Sequence, residues 1–339
     1  MPDTAEPNTK RIQILQINLN KSSSAHLDLL NNTFCGQYDI VLIQEPHVTH
    51  FGNTRTPSAF HLISPTSRAT LDTPLRSIIW ISSRIKTSSW KIINVPDTND
   101  ITAVQIVGNF GRVSIFNIYN DGNHNDTLTV LTEYMTANKP SIYDNNNDFV
   151  LWGGDFNRHH PSWDRNEDER LFTPAALRNA DILINHLLNW NMVMALPKDI
   201  PTLEHMVTKK YSRPDNVFCT DNLPDYITNC DVLPGPSHQH RPLPDYDHIK
   251  LTDSPHLAET LPQLQNDRME GFQRRSSRQP PGYPTPHPNH LPSPTTNSHN
   301  GPNKRHTKDH QNYRADKQAL RTIETMVELG PEKHEKGTQ

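Results

Sequence analysis

Cysteine is scarce. Cys35, Cys219 and Cys230 are the only three in 339 residues, an odd number without metal-type spacing. That excludes a disulfide framework and a cysteine zinc centre, and points to a reducing compartment. Apolar residues are thin at 33%, with aromatics at 7%. A chain folded throughout carries more, so either the core is lean or part of the chain stays unfolded. No stretch of about 18 apolar residues occurs, which excludes a membrane-spanning helix. The first ten residues, MPDTAEPNTK, lack an apolar core, so no secretory signal is expected. Positive charge is not in excess either: Lys+Arg 33 against Asp+Glu 37 leaves −4. This excludes holding nucleic acid by bulk positive charge, but not a nuclease whose bound metal supplies local charge.

What is abundant is proline, and it is unevenly spread. Ten of the 29 prolines fall in 255–302, among Ser, Thr, Asn, His and Gln. Such a segment cannot bury enough apolar surface to offset its ordering entropy. The composition predicts a folded domain over 10–253 and a Pro-rich disordered tail over 254–312. An isolated short helix is expected over 313–330, where Ala319, Ile323, Met326 and Val327 sit at helical spacing before Gly330 and Pro331. Removing 254–339 is expected to leave the core's stability nearly unchanged.

Within the domain, short apolar runs alternate with a few amphipathic stretches. Strands are predicted at 11–18, 40–44, 77–81, 90–94, 103–107, 113–119, 149–152, 192–195, 216–219 and 249–251, and helices at 24–32, 128–137 and 174–189. This pattern predicts an α/β chain, two packed mixed sheets flanked by helices.

The apolar runs end in polar residues of one kind. Ile14–Ile17 ends at Asn18, Val41–Gln44 at Glu45, and Ser114–Ile118 at Tyr119. Val150–Gly154 ends at Asp155, with Asn157 two positions on. Asp215 precedes Val217-Phe218, and Asp247-His248 precedes Ile249-Lys250-Leu251. Strand ends are rigid mounts, and several on one edge would converge. Glu45 with Asn18 offers hard oxygen ligands for Mg²⁺, with Mn²⁺ as the alternative. Asp155 and Asn157 can face one side while Phe156 enters the core. His248 can take a proton from water if Asp215 orients its ring. Tyr119 can hydrogen-bond a phosphate oxygen. Together these groups describe metal-assisted phosphodiester hydrolysis. Lys209, Lys210 and Arg213, with Tyr211 between them, could hold backbone phosphates and stack a displaced base. Arg55, Arg68 and Arg76 form a second basic stretch.

The stretches LQINLNKS, DIVLIQEP, LWGGDFNRHHPSWD, RPDNVF and DHIKL resemble the endonuclease/exonuclease/phosphatase superfamily. They look most like the endonuclease domain of LINE-type (non-LTR) retrotransposons of fungi. The resemblance covers about residues 10–253 and implies a four-layer α/β sandwich. It also implies Mg²⁺-dependent nicking of DNA that leaves a 3′-hydroxyl for a reverse transcriptase to extend.

By motif, Glu45 would be the principal metal ligand, with Asn18 beside it and Asp247 binding or orienting the metal. Asp155 would position or deprotonate the attacking water, Asn157 would hold the scissile phosphate, and Tyr119 would bond it as charge builds. His248 would serve as general base or phosphate stabiliser. Thr202 resembles a position that touches the phosphate backbone. Tyr246 stands where the family has Ser and would reach the substrate. Trp163 would pack the loop after Asp155. No Tyr-x-Asp-Asp polymerase motif is present, so the reverse transcriptase is expected elsewhere in the element. The expected partner is DNA, with no membrane, a monomeric state and action in the nucleus. The alternatives are a phosphatase or abasic-site endonuclease of the same fold, or a catalytically silent truncated copy.

Overall fold

The computed structural model describes residues 10–66, 74–144, 147–205, 207–233, 319–320 and 322–329. The strands run in chain order as β1 (Lys10–Asn18), β2 (Ile40–Gln44), β3 (Phe60–Ile63), β4 (Ser77–Ser82) and β5 (Trp90–Ile93). They continue as β6 (Ile101–Gly108), β7 (Gly111–Tyr119), β8 (Asp148–Asp155), β9 (Met192–Met194) and β10 (Leu203–Glu204). Next come β11 (Tyr211–Ser212), β12 (Asp215–Thr220), β13 (Ile227–Leu233), β14 (Ala319–Leu320) and β15 (Thr322–Leu329). The helices are α1 (Ser23–Asn31), α2 (Asp126–Ala137), the single turn α3 (Lys139–Ile142) and α4 (Pro174–Asn189). Among the described residues no helix is long and apolar enough to cross a membrane.

Two six-stranded sheets form the centre, ordered β13-β15-β1-β2-β4-β3 and β5-β6-β7-β8-β12-β9. A small three-stranded sheet, β11-β10-β14, stands beside them. Both large sheets are mixed: β1 pairs β2 in parallel and β7 pairs β8 in parallel, while the other pairings are antiparallel. β2, β4, β8 and β12 are buried along their whole length, as continuous apolar runs predict for strands covered on both faces.

Alternation along each strand sorts the side chains into layers. Ile12, Ile14, Ile40, Leu42, Ile79 and Ile81 of the first sheet meet Val104, Ile106, Val113, Ile115, Leu151 and Val217 of the second. Leu15, Val41, Ile43, Ile78 and Trp80 point outward under Leu29 of α1. Phe116, Ile118, Trp152 and Phe218 point outward under α2 and α4 through Leu128, Leu131, Ala180 and Leu183. Helix, sheet, sheet, helix is the four-layer order expected. Each fully buried Ile or Leu contributes about 1.5–3 kcal/mol. Ser22 and Thr173 start α1 and α4 by accepting the Ala25 and Ala176 amides.

The tail corrects the sequence reading. Thr322–Leu329 is a strand, not part of an isolated helix, and it occupies an interior slot of the first sheet. It pairs antiparallel with β1 (Ile12↔Val327, Ile14↔Thr325) and with β13 (Val232↔Ile323). Ile323, Thr325, Val327 and Leu329 are buried, and the residues between them are half-buried. The segment carries period-2 alternation and β-branched residues at 322, 323, 325 and 327. Its sparse helical spacing is overridden once a vacant ladder between β1 and β13 is available. The core is therefore not contained in 10–253. The Pro-rich 254–312 and the strand expected at 249–251 lie outside the described residues.

Candidate active site

The polar strand ends converge, and the sheet register shows why. Asn18 pairs with Gln44, so Asn18 and Glu45 lie side by side at one edge of the first sheet. Tyr119 pairs with Asp155, and Asp155 with Asp215, so these three share one edge of the second sheet. The two edges meet. Asn18, Asn20, Glu45, Tyr119, Asp155, Asn157, Thr202 and Asp215 line one open cavity of about 230 Å³.

The double glycine before Asp155 allows this approach. A Cβ on Gly153 would meet Leu42 Cδ1 at 2.7 Å and Gln16 Oε1 at 3.3 Å, both on the facing sheet. A Cβ on Gly154 would overlap the Ile118 carbonyl of the neighbouring strand. Deeper in, Asn117 Nδ2 donates to the Ile43 and Ile78 carbonyls at 2.9 and 2.7 Å, and Gln44 Nε2 donates to Asn117 Oδ1. These two buried amides lock the sheets together directly behind Glu45 and Tyr119.

Three of the residues that line the cavity hold a left-handed backbone: Asn20 at φ 46°, Glu45 at φ 44° and Asn157 at φ 48°. Asn tolerates this region; Glu adopts it rarely, and such strain collects at functional sites. The Glu45 N–H donates to the Arg76 carbonyl at 2.8 Å, and its carbonyl accepts the Lys21 N–H at 2.8 Å. Asn157 is fixed through Nδ2 to the Asn120 carbonyl at 3.0 Å and through its amide to Asp155 Oδ1 at 3.0 Å.

Asp155 and Asp215 are both buried. Burial pushes the Asp155 carboxyl well above the usual range; Asp215 and Glu45 push it further, while Asn18 and the Asn157 amide oppose. Asn18 Nδ2 donates to Asp155 Oδ2 at 2.7 Å. Burial also raises Asp215, against hydrogen bonds from Thr202 (2.9 Å) and Gln16 (3.4 Å). Two facing buried carboxyls cannot both ionise cheaply, so the pair retains a proton or requires a cation. Burial raises the Tyr119 phenol, with Glu45 and Asp155 adding to it, so its hydroxyl remains a donor across the working pH range. Arg76 lies over the Tyr119 ring at 5.1 Å and donates to Asp121 at 2.6 Å.

The donor set fits a hard divalent cation. Glu45 and the Asn18 carbonyl oxygen are hard ligands, and Glu45 Oε1 already holds a cationic group, Lys21 Nζ, at 3.1 Å. Among the described residues no three His, Cys, Asp or Glu side chains form a cage. One or two side-chain oxygens plus water are what Mg²⁺ accepts.

Other expected site residues fare differently. Thr202 lines the cavity, but its hydroxyl gives its hydrogen to Asp215 Oδ2 and accepts the Asp215 N–H at 3.2 Å. It braces Asp215, and its hydroxyl hydrogen is not available to a phosphate. Lys209 and Lys210 are exposed on the hairpin made by β10 and β11, with Lys209 3.5 Å from Glu204. Arg213 corrects the sequence reading. It is 1% exposed and donates to the Trp163, Leu196 and Pro197 carbonyls and to Asn216 Oδ1. Burial lowers its guanidinium to about 10, still protonated, and no donor reaches solvent. It is a structural clamp. Tyr211 is covered by Arg165 at 5.3 Å, and Arg76 is tied to Asp121. Trp163 is buried, with Nε1 donating to the Arg158 carbonyl at 3.0 Å. Tyr246, Asp247, His248 and Arg68 lie outside the described residues. Gln16 and Lys21 were not anticipated. Both lie within the LQINLNKS stretch, but Gln16 sits inside a strand with its partner 199 positions away, and Lys21 was assigned no role there.

Residues 113–249 match the family described as "Endonuclease-reverse transcriptase". No curated protein matches the chain. Among solved structures, the endonuclease domain of TRAS1, a telomere-specific non-LTR retrotransposon, is similar at 22% identity and TM-score 0.50. That match covers 66% of this chain and 91% of the other. The AP endonuclease LMAP from Leishmania major is similar at 10% identity and TM-score 0.52, covering 66% and 83%. Four layers in this order, with a cleft between the two sheet edges, are the fold this chain shares with those structures, and residues 113–249 carry the match to the endonuclease-reverse transcriptase family.

Proposed function

We propose that the chain is a divalent-metal-dependent phosphodiester hydrolase that nicks DNA. The observation that carries this is the meeting of Glu45 and Asn18 with Asp155, Asn157 and Tyr119 in one open cleft. Oxygen donors for a cation, a buried carboxyl able to take a proton and donors for a phosphate are then within one substrate's reach.

The reaction is attack of water oxygen on phosphorus with cleavage of the P–O3′ bond, giving a 3′-hydroxyl and a 5′-phosphate. Glu45 and Asn18 would hold Mg²⁺ or Mn²⁺. A cation bound there supplies Lewis-acid neutralisation of the charge gathering on the phosphate. Asp155, fixed by Asn18 and the Asn157 amide, positions the water and receives its proton, or passes that task to His248. Tyr119 and Asn157 donate to the non-bridging oxygens as charge builds. Asp215, held by Thr202 and Gln16, helps keep the Asp155 carboxyl raised and so able to take a proton. By motif, Asp247 would bind or orient the metal and Tyr246 would reach the substrate, while the exposed Lys209 and Lys210 would hold backbone phosphates. The product end suits extension by a reverse transcriptase encoded elsewhere in the element. Action is in the nucleus, as a monomer.

The test uses the full chain, because β15 belongs to the core. Supercoiled plasmid is incubated with Mg²⁺ or with chelator, beside Glu45→Ala and His248→Ala. Metal-dependent nicking lost in both variants supports the reading. Cleavage confined to an abasic-site duplex or to a phosphomonoester would replace the substrate while keeping the chemistry. A folded protein inert on all three would be a silent copy.

A further inference from the structure

The turn between β1 and α1 is built in an unusual way. Asn20 and Lys21 are consecutive non-glycine residues in the left-handed region, at φ 46° and 57°. Asn is common there; Lys has no such preference. The turn is held by the Asn20 amide on Asn18 Oδ1 at 2.7 Å, the Ser22 amide on the Leu19 carbonyl at 2.9 Å, and the Lys21 amide on the Glu45 carbonyl at 2.8 Å. Glu45 is left-handed too. Three strained residues thus bring one ammonium to one carboxylate: Lys21 Nζ lies 3.1 Å from Glu45 Oε1. The Glu45 side chain is 10% exposed and that of Lys21 57%. The ammonium therefore approaches from solvent, at the mouth of the cleft, on the carboxylate read as the principal metal ligand.

We propose that Lys21 is a built-in counterion for the cation site: it occupies Glu45 until a divalent cation arrives, then transfers to a phosphate of the DNA. This rests on the metal-dependent reading above. The physical reason is charge. Without a cation, Glu45 would face the neighbouring Asp155 carboxyl uncompensated, and Lys21 supplies the missing positive charge. With a cation bound, the ammonium is repelled. Its flexible four-carbon stem, mounted on a fixed turn, carries it to the nearest new anion, which in a loaded cleft is the substrate backbone. Cation and DNA then bind in favourable order, each freeing a partner for the other.

The experiment compares the full chain with Lys21→Met, which keeps the stem and removes the charge, and with Lys91→Met, an exposed lysine on β5. Mn²⁺ binding is measured by electron paramagnetic resonance without DNA. Lys21→Met is expected to bind Mn²⁺ about two- to fivefold more tightly, the range an exposed ion pair commands, with Lys91→Met unchanged. DNA binding is then measured with Ca²⁺ at several salt concentrations. Lys21→Met should bind DNA more weakly, with a log–log salt slope smaller by about one. Unchanged or weaker Mn²⁺ binding in Lys21→Met overturns the counterion role while leaving the metal reading intact. Tighter Mn²⁺ with an unchanged salt slope overturns the transfer to DNA. A wild-type chain that binds no Mn²⁺ overturns the metal reading, and this inference with it.

Discussion

Asp155 and Asp215 stand directly opposite each other on neighbouring antiparallel strands, both buried, at the floor of the cleft. Each has its own hydrogen-bond set: Asn18 and the Asn157 amide on one, Thr202 and Gln16 on the other. Nothing in packing requires two carboxyls here, and like charges at opposed positions destabilise a sheet. The arrangement makes sense as chemistry retained at a cost in stability.

That cost has a sign. Both carboxyls titrate above their ordinary range, so between the ordinary and the raised pKa the folded state binds more protons than the unfolded one. Stability then falls as pH rises through that window. For the metal-free protein, melting temperature should drop from pH 5 to pH 8. Asp215→Asn should flatten the dependence and raise stability at pH 8 by a few kcal/mol, on the order of the lost charge penalty, while abolishing nicking. Scanning calorimetry across pH decides it; a parallel pH dependence in the variant would refute the shared-proton account.

The strand β15 makes a second, larger prediction. Val327 is 2% exposed, flanked in register by Ile12 and Ile227. Val327→Asp buries an unpaired charge and should cost about 3–5 kcal/mol or more. A chain ending at 318 should lose cooperative unfolding, because the ladders of β1 and β13 are left open along one side. A truncated chain melting like the full one would show that β15 adds nothing to the core.

How far the sequence carried depends on the kind of signal. The site was legible where a polar residue ended an apolar run, as at Asn18, Glu45, Tyr119 and Asp155, because strand and site share one edge. The four layers were legible from the same runs. Gln16 was hidden because its role comes from a side-chain hydrogen bond to Asp215 of the facing sheet, 199 positions along the chain. Arg213 was misread because a charge in sequence carries no mark of burial; its acceptors come from the separate backbone positions 163, 196 and 197. The 322–329 strand was misread because its helical and alternating patterns compete over few residues, and only the empty slot between β1 and β13 decides between them.

Arginine and lysine on the same stretch should therefore behave oppositely. Lys209→Ala with Lys210→Ala should leave melting unchanged and reduce the salt slope of DNA binding by about two, one per phosphate lost. Arg213→Met strands buried carbonyls and should cost about 2–4 kcal/mol with the salt slope unaltered. Paired thermal melts and salt titrations check both. A reduced slope in Arg213→Met at intact stability would return Arg213 to the DNA-contacting set.

Tyr119 gives the sharpest separation of binding from chemistry. Its ring is fixed beneath Arg76, whose guanidinium is tied to Asp121, so Tyr119→Phe removes a hydroxyl and little else. If that hydroxyl donates to the phosphate only as charge builds, its loss appears in the chemical step. Single-turnover nicking should slow about 100-fold, with substrate binding nearly unchanged. Burial and two neighbouring carboxylates keep the phenol protonated, so its donation should impose no alkaline limb on the rate below pH 10. An unchanged rate in Tyr119→Phe would remove Tyr119 from the reaction. A loss confined to binding would make it a ground-state contact instead.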